Sequence, residues 1–399
     1  MESKLCFVSF RIPPDYAGAG KRVLNQAMFI AKRGYKVSIL TTTVCNYNIK
    51  NLEVITIKLP EKYNHKGVIG KIFRVLYNPF FLIRLINIIR KNNFKIIHCI
   101  PWTSCLSLLS ILASKLCGIK VIVETTLFGS DDPISIKKSR MGYIKFFLFK
   151  LADRVVNISP LLFESCLQVK MKSDKIFIIG NSVDTLKFTK VSIEEKKELR
   201  KELGISQFKH VLLYVGIIRS RKGVEDLIHM FNIVNKNMND TCLVLAGPIN
   251  KDNENIMYTD KIRKIVSDYG LNSKVIITGE IKNVDEWMKA SDIFVFASKR
   301  EGFGTVLVEA MSTGLPVVTI DIPKISSYII KSNYDGIIVD DSKEMAENII
   351  KLLQDKQLYD FISKNARDTV MNRFSQNIIM NSYFDMYNDL LKKDIYKIK

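Results

Sequence analysis

The chain has 399 residues, more than one ordinary hydrophobic core uses, so two domains are expected. Apolar residues make up 47% of it, which excludes a disordered scaffold, and a formal charge of +20 implies an anionic partner. Nucleic acid, anionic lipid and phosphate-bearing substrates are the candidates. The 7 cysteines are scattered, without C-x-x-C or Cys/His ligand spacing, so buried free thiols in a reducing cytoplasm are expected rather than structural zinc.

The opening M-E-S-K-L-C-F-V-S-F runs into a strand, Leu5 to Phe10, not into a signal-peptide apolar region. No run of about twenty apolar residues predicts a spanning helix. A loop with Gly18 and Gly20 follows, then a helix from about Lys21 to Arg33 and a strand from Tyr35 to Thr41. Strand, glycine turn, helix, strand predicts a doubly wound parallel sheet, and Gly18 is where a ligand can approach the backbone.

Residues 65–95 interleave Lys66, Lys71, Arg74, Arg84, Arg90, Lys91 and Lys95 with Phe, Leu and Ile, and contain no acid. Pro79 is expected to break this stretch into two helical pieces. A basic amphipathic segment of this kind suits an anionic membrane surface, and residues 137–150 repeat the character. Strands are expected at Phe94 to Cys99 and Lys120 to Val123, with a helix between them ending at Leu116. The turn E-T-T-L-F-G-S-D-D-P then offers Thr126, Asp131 and Asp132 to ligand hydroxyls, or forms a solvated turn. His98 reads as a buried packing residue. A strand over Ala152 to Ser159 closes the first half, and a hinge is expected within I-F-I-I-G-N-S-V-D-T-L-K-F, residues 176–188.

The second half begins with a strand from His210 to Val215 and the loop G-I-I-R-S-R-K-G, residues 216–223. A helix starts at Val224, and strands follow at 241–248 and 274–280. Ile293 to Ala297 is the next buried strand. After it, Glu301, Gly302, Phe303 and Gly304 lead into a helix at Thr305, stopped by Gly314 and Pro316, and Val317 to Ile320 restarts a strand. A helix N-terminus at a strand's carboxyl end binds phosphate, and carboxylates such as Glu301 and Glu309 accept sugar hydroxyls. A last helix is expected over 374–392.

The stretch S-x-x-E-G-F-G-x-x-x-x-E-A-M-x-x-G-x-P-V-V, with Glu301 and Glu309 eight apart, resembles the donor-site signature of retaining glycosyltransferases, family 4 most closely. The resemblance implies a GT-B α/β fold of two Rossmann-like domains facing a cleft. Residues 1–183 would bind the acceptor and 184–375 the nucleotide-sugar donor, with 376–399 crossing back as a terminal helix. It implies retaining transfer of a hexosyl group from a nucleoside diphosphate sugar, UDP by family frequency, without a metal or other cofactor.

By the same resemblance Gly18, Lys222, Gly216, Gly279, Gly302, Phe303, Gly304 and Thr305 contact the donor, Glu301 its sugar and Glu309 its ribose. Ile217 stands where an arginine is usual, so Arg219 or Arg221 is the substitute cation. Ala17 replaces a usual glycine, and Thr125 or Thr126 replaces a usual histidine. The acceptor is expected to be a lipid-linked or membrane-surface glycan of a bacterial surface polysaccharide, the protein cytoplasmic and peripheral to the membrane. The rival readings are a GT-B protein that binds sugar nucleotides without transfer, and a nucleic-acid-binding protein. No nucleic-acid partner is expected, because the basic residues accompany apolar ones and form no recognition motif.

Overall fold

Runs of Val, Ile and Leu that are buried on both faces make two all-parallel sheets, as such runs do when helices cover both sides. The computed structural model describes residues 4–15, 18–65, 67–249 and 253–395; Ala17 and Lys66 lie outside them. In the first sheet, β1 (Lys4–Val8), β2 (Val37–Thr41), β3 (Leu52–Thr56), β4 (Phe94–Cys99), β5 (Lys120–Thr125), β6 (Arg154–Asn157) and β7 (Ile176–Ile178) lie in the order β3-β2-β1-β4-β5-β6-β7. In the second, β8 (His210–Val215), β9 (Thr241–Ala246), β10 (Val275–Gly279), β11 (Ile293–Phe296), β12 (Val317–Ile320) and β13 (Ile337–Val339) lie in the order β10-β9-β8-β11-β12-β13. Both orders reverse direction, at β1/β4 and β8/β11, and such switch points are where open parallel sheets bind ligands.

The chain forms two units, residues 1–179 with 380–399, and residues 180–379. The boundaries differ by a few positions from those read in the sequence. Asn181 donates to the Thr305 hydroxyl (2.8 Å) and the Val183 N–H to the Phe374 carbonyl (3.0 Å), which ties 180–183 to the second unit.

In the first unit, before the terminal helix, the α-helices are α1 (Gly18–Lys32), α2 (Val68–Asn92), α3 (Cys105–Leu116), α4 (Pro133–Lys138), α5 (Gly142–Lys150) and α6 (Pro160–Gln168). Pro79 does not divide its segment: α2 is one helix of 25 residues. Phe81, Leu85 and Ile89 are buried and hold the helix from one side, while Pro79 and Val75 face outward, where water can hydrate the Val75 carbonyl that proline leaves without its N–H partner. Gly70–Asn92 is long and apolar enough to cross a membrane, which the sequence reading did not expect. It cannot do so in this fold, because β3 before it and β4 after it belong to one sheet.

From Met380 on, the terminal helix, Gln376–Ile395, is built into the first unit around a buried carboxylate. Glu124, at the end of β5, is fully buried and pairs with Arg22 of α1; Tyr383 donates to its Oε2 at 2.9 Å, and His98 Nε2 lies 3.3 Å from the same atom. His98 Nδ1 and the Tyr387 hydroxyl are 2.9 Å apart. Burial pushes Glu124 toward its neutral form, but the Arg22 charge, with His98 and Tyr383, outweighs this and holds its carboxyl below the usual range. His98 is fully buried, as read from the sequence, and burial lowers its pKa against the opposing pull of Glu124.

A pH dependence follows from His98. The unfolded chain takes up its proton near 6.5 while the folded protein stays neutral to a lower pH, so stability from this group is lost on acidification below 6.5. The slope is at most about 1.4 kcal/mol per pH unit. In urea unfolding at pH 8 and 5.5, the stability gap between wild type and His98→Gln is expected to narrow at the lower pH. A gap that widens would contradict the assignment.

Candidate active site

Three consecutive strands of the second sheet end in glycine at its carboxyl edge: V-G after β8, A-G after β9 and T-G closing β10. They lock together. The Gly216 N–H donates to the Ala246 carbonyl and the Gly247 N–H to the Gly279 carbonyl, both at 2.9 Å. A Cβ on Gly247 would sit 2.0 Å from the Gly216 carbonyl oxygen, so the turns pass too closely for a side chain. Gly247 was not singled out from the sequence; the repeated strand-end glycine is the signal that identifies it.

The loop after β8 and the loop after β11 are joined in the same way. Gly223 has φ +65° and its Cβ would lie 2.0 Å from the Ala297 carbonyl oxygen, so nothing larger than hydrogen fits. Lys299 N–H donates to the Arg221 carbonyl at 2.9 Å, and Arg221 Nη1 donates to the Arg300 carbonyl at 2.8 Å. This brings Lys222 and Glu301 together, 79 residues apart in sequence, as a hydrogen-bonded ion pair. Arg221 Nη1 is 3.9 Å from the same Glu301 oxygen, and Lys222 also lies over the Phe296 ring, 5.5 Å from its centroid.

Burial lowers the Lys222 pKa, Glu301 raises it again, and the nearby charges of Arg221 and Arg219 lower it further. Three cations therefore crowd one carboxylate, and the surplus positive charge suits a diphosphate. Arg221 is committed to the loop, as just described. Among the described residues, the Arg219 side chain makes no hydrogen bond or ion pair, so it is the cation left for a ligand. Ile217, at the position where an arginine was expected, has its carbonyl taken by the Tyr214 hydroxyl at 3.1 Å.

Gly304, with φ +92°, turns the chain into the helix Thr305–Ser312. Half-buried Thr305 and Glu309 lie one turn apart on it. Gly302 is buried beside them. The Phe303 side chain is a core element rather than a ligand contact. It is 2% exposed, packs on Phe374 and Tyr328, and covers Gly180, whose Cβ would meet its ring at 2.7 Å. Only the Phe303 backbone can face a donor.

In the first unit, Gly18 opens α1 into free space, whereas a Cβ on Gly20 would fall 2.1 Å from the Arg11 carbonyl oxygen. Asp131 is buried and turned into its own loop. It accepts the Thr126 and Leu127 N–H groups at 2.9 and 2.7 Å and the Thr126 hydroxyl at 2.6 Å, while Trp102 donates to its carbonyl at 2.8 Å. Burial raises its pKa to about 6 against those hydrogen bonds. Asp132 caps α4 through the Ser135 N–H at 2.9 Å. Both carboxylates, read from sequence as a solvated turn or as acceptor ligands, are buried in this loop; Thr126 is the half-buried residue beside them.

Residues 16–187 match the family described as Glycosyltransferase Family 4, and residues 195–369 match Glycosyl transferases group 1. With the two parallel sheets, each with its switch point, these matches make the chain a glycosyltransferase of the GT-B fold. The chain belongs to glycosyltransferase family 4.

It is 24% identical over 389 residues, 96% of each chain, to N-acetyl-alpha-D-glucosaminyl L-malate synthase of Bacillus anthracis. It is 25% identical, over 78% of this chain and 79% of the relative, to the UDP-Gal:alpha-D-GlcNAc-diphosphoundecaprenol alpha-1,3-galactosyltransferase of Escherichia coli. Its fold is similar to a Rickettsia africae glycosyltransferase, with TM-score 0.80 at 20% identity over 98% and 99% of the two chains. It is also similar to Anabaena HepE in complex with UDP and glucose, with TM-score 0.76 at 19% identity over 97% and 99%.

Proposed function

We propose that this glycosyltransferase moves a hexosyl group, with retention, from a UDP-sugar to a hydroxyl of a lipid-linked or membrane-surface glycan at the cytoplasmic side of a bacterial membrane. The observation that carries the reading is the Lys222–Glu301 pair, held where two strand ends meet and next to the helix that opens at Gly304. Lys222 and Arg219 take the diphosphate, with the Gly304–Thr305 backbone supplying N–H donors. Glu301 takes sugar hydroxyls and Glu309 the ribose.

The acceptor oxygen bonds to the anomeric carbon on the face from which the diphosphate departs. The carbon–oxygen bond to the β-phosphate breaks, and the leaving diphosphate takes the acceptor's proton. Developing charge on that leaving group is met by fixed protein cations, so the transfer proceeds without a divalent ion. The complexes of HepE with UDP and glucose support uridine, and the activity of the Escherichia coli relative supports a lipid-diphosphate acceptor. Thr126 is on the acceptor side.

The test is a thermal-shift panel of UDP, GDP, ADP and CMP in EDTA, on wild type and Glu309→Ala. A nucleotide at about a hundred times its dissociation constant stabilises by about 2.7 kcal/mol. UDP alone is expected to shift the wild type, and the shift is expected to vanish in the variant. A shift with no nucleotide, or one that survives unchanged in Glu309→Ala, would overturn the donor assignment.

A further inference from the structure

We propose that the first unit docks on an anionic lipid bilayer by laying the outer faces of α2 and α5 in its interface. Helix α2 is apolar on two opposite sides. Its inner row, Phe81, Leu85 and Ile89, is buried. Its outer row is exposed: Val68 67%, Ile72 56%, Leu76 74%, Phe80 64% and Ile83 57%, at the three- and four-residue spacing of a single helical stripe. Val75, 71% exposed, borders it. On α5 and just before it, Met141, Tyr143, Ile144 and Phe147 are 56–78% exposed. Scattered single apolar residues on a surface need no explanation, but two contiguous stripes do.

Topology places the stripes together. The connections β3 to β4, β4 to β5 and β5 to β6 all advance in one direction across the sheet. Right-handed crossovers therefore put α2, α3 and α5 on one face. Both α2 and α5 pack on α3, which lies between them. Each leads from the carboxyl edge of the sheet back toward its amino edge, and most of the exposed apolar residues, all but Ile83 and Phe147, fall in or just before the first half of their helix. The stripes thus lie near the carboxyl edge, which also carries the Gly18 turn and the Thr126 loop.

The charge around them selects a lipid surface as the occupant. Residues 67–95 hold six Lys and Arg and no acid, and residues 134–152 hold five and no acid. Among the described residues, none of these eleven forms an ion pair. A protein-binding patch is depleted of lysine, and a second copy of this chain would oppose cations with cations. An anionic bilayer attracts each of them and buries the apolar row at no electrostatic cost. Spanning is excluded by the shared sheet of β3 and β4, so the helices lie in the plane of the interface. The docking stands on the first unit alone. Only the benefit, that a lipid-borne acceptor meets the Thr126 loop at the membrane, rests on the proposed function.

The chain itself supplies a clean probe site. Its two tryptophans, Trp102 and Trp287, are buried at 0% and 7% exposure. In Phe80→Trp the new indole is solvated, and its emission is expected to shift to the blue on adding phosphatidylglycerol-containing vesicles at low salt. Pure phosphatidylcholine vesicles are expected to leave it largely unchanged. Adding Leu76→Ser to the probe variant is expected to weaken vesicle affinity about tenfold, through the lost apolar burial.

An unshifted emission with anionic vesicles would overturn the proposal. So would an equal shift with duplex DNA, or a shift on concentrating the protein without lipid, which would mark a protein contact. UDP stabilisation measured on the same variants separates the two readings. Vesicle binding without a UDP response would leave the docking standing and remove the proposed transfer, and the reverse would do the opposite.

Discussion

Replacing Lys222 by methionine is expected to cut sugar transfer by about 10²–10³-fold, the usual cost of removing one preorganised group that stabilises charge developing in the transition state. Methionine keeps much of the apolar stem over Phe296 and removes the amine. The fold is expected to tolerate the change, because Glu301 keeps Arg221 at 3.9 Å and partial exposure at 12% of its side chain. UDP affinity is expected to fall less than kcat, since the charge on the leaving diphosphate is largest as its bond to the sugar breaks.

The pairing makes a sharper test possible. With Lys222 gone, Glu301 loses the group that orients it, so Lys222→Met and Glu301→Gln act on one unit. The double variant is expected to be little worse than the poorer single variant. Steady-state kinetics on the four proteins measures this. Fully multiplicative losses would show that the two side chains work independently and that their contact is incidental to catalysis.

The second unit was legible in the sequence because backbone geometry dictates its residue types. Gly223 must be glycine where its Cβ would meet a carbonyl oxygen, and Gly304 must turn the chain at positive φ before the helix. Lys222 and Glu301 are then fixed relative to each other by the hydrogen bonds between their loops. Spacing within such motifs carries the geometry.

The first unit obeys longer-range constraints, which spacing does not record. Pro79 reads as a helix breaker, yet burial of Phe81, Leu85 and Ile89 keeps one helix around it. Strand β3 escaped notice because it is five residues long at the sheet edge with Glu53 exposed. Asp131 looks like a surface acidic residue until its loop folds over it and Trp102 bonds its carbonyl. Glu124 drew no attention as a site because its partner Tyr383 is 259 positions away. The free cation, Arg219, was one of two alternatives in the sequence. What separates it from Arg221 is a carbonyl on the opposite loop, at Arg300.

Deleting residues 380–399 is expected to unfold the first unit altogether. The segment contributes Met380, Tyr383, Met386, Tyr387 and Leu390, each 4% exposed or less. At about 1.5–3 kcal/mol for each buried apolar side chain, their loss is about 7–15 kcal/mol, as large as the whole folding free energy of a typical domain. The deletion also takes the Tyr383 hydroxyl from Glu124, the Tyr387 hydroxyl from His98 and the Asp389 carboxylate, 2.7 Å away, from Arg154. A buried carboxylate that loses a donor and a side wall together is worse off than one that loses either.

Tyr383→Phe isolates the hydroxyl and is expected to cost about 1–3 kcal/mol, with the unit still folded. Fluorescence in a Trp287→Phe background reports on Trp102 and therefore on the first unit alone. The truncated chain is expected to emit as a solvated indole and the Tyr383→Phe chain as a buried one. Native Trp102 emission from the truncated chain would mean that the sheet closes its core without the terminal helix, and the buried Glu124 cluster would then be a consequence of the fold rather than a condition for it.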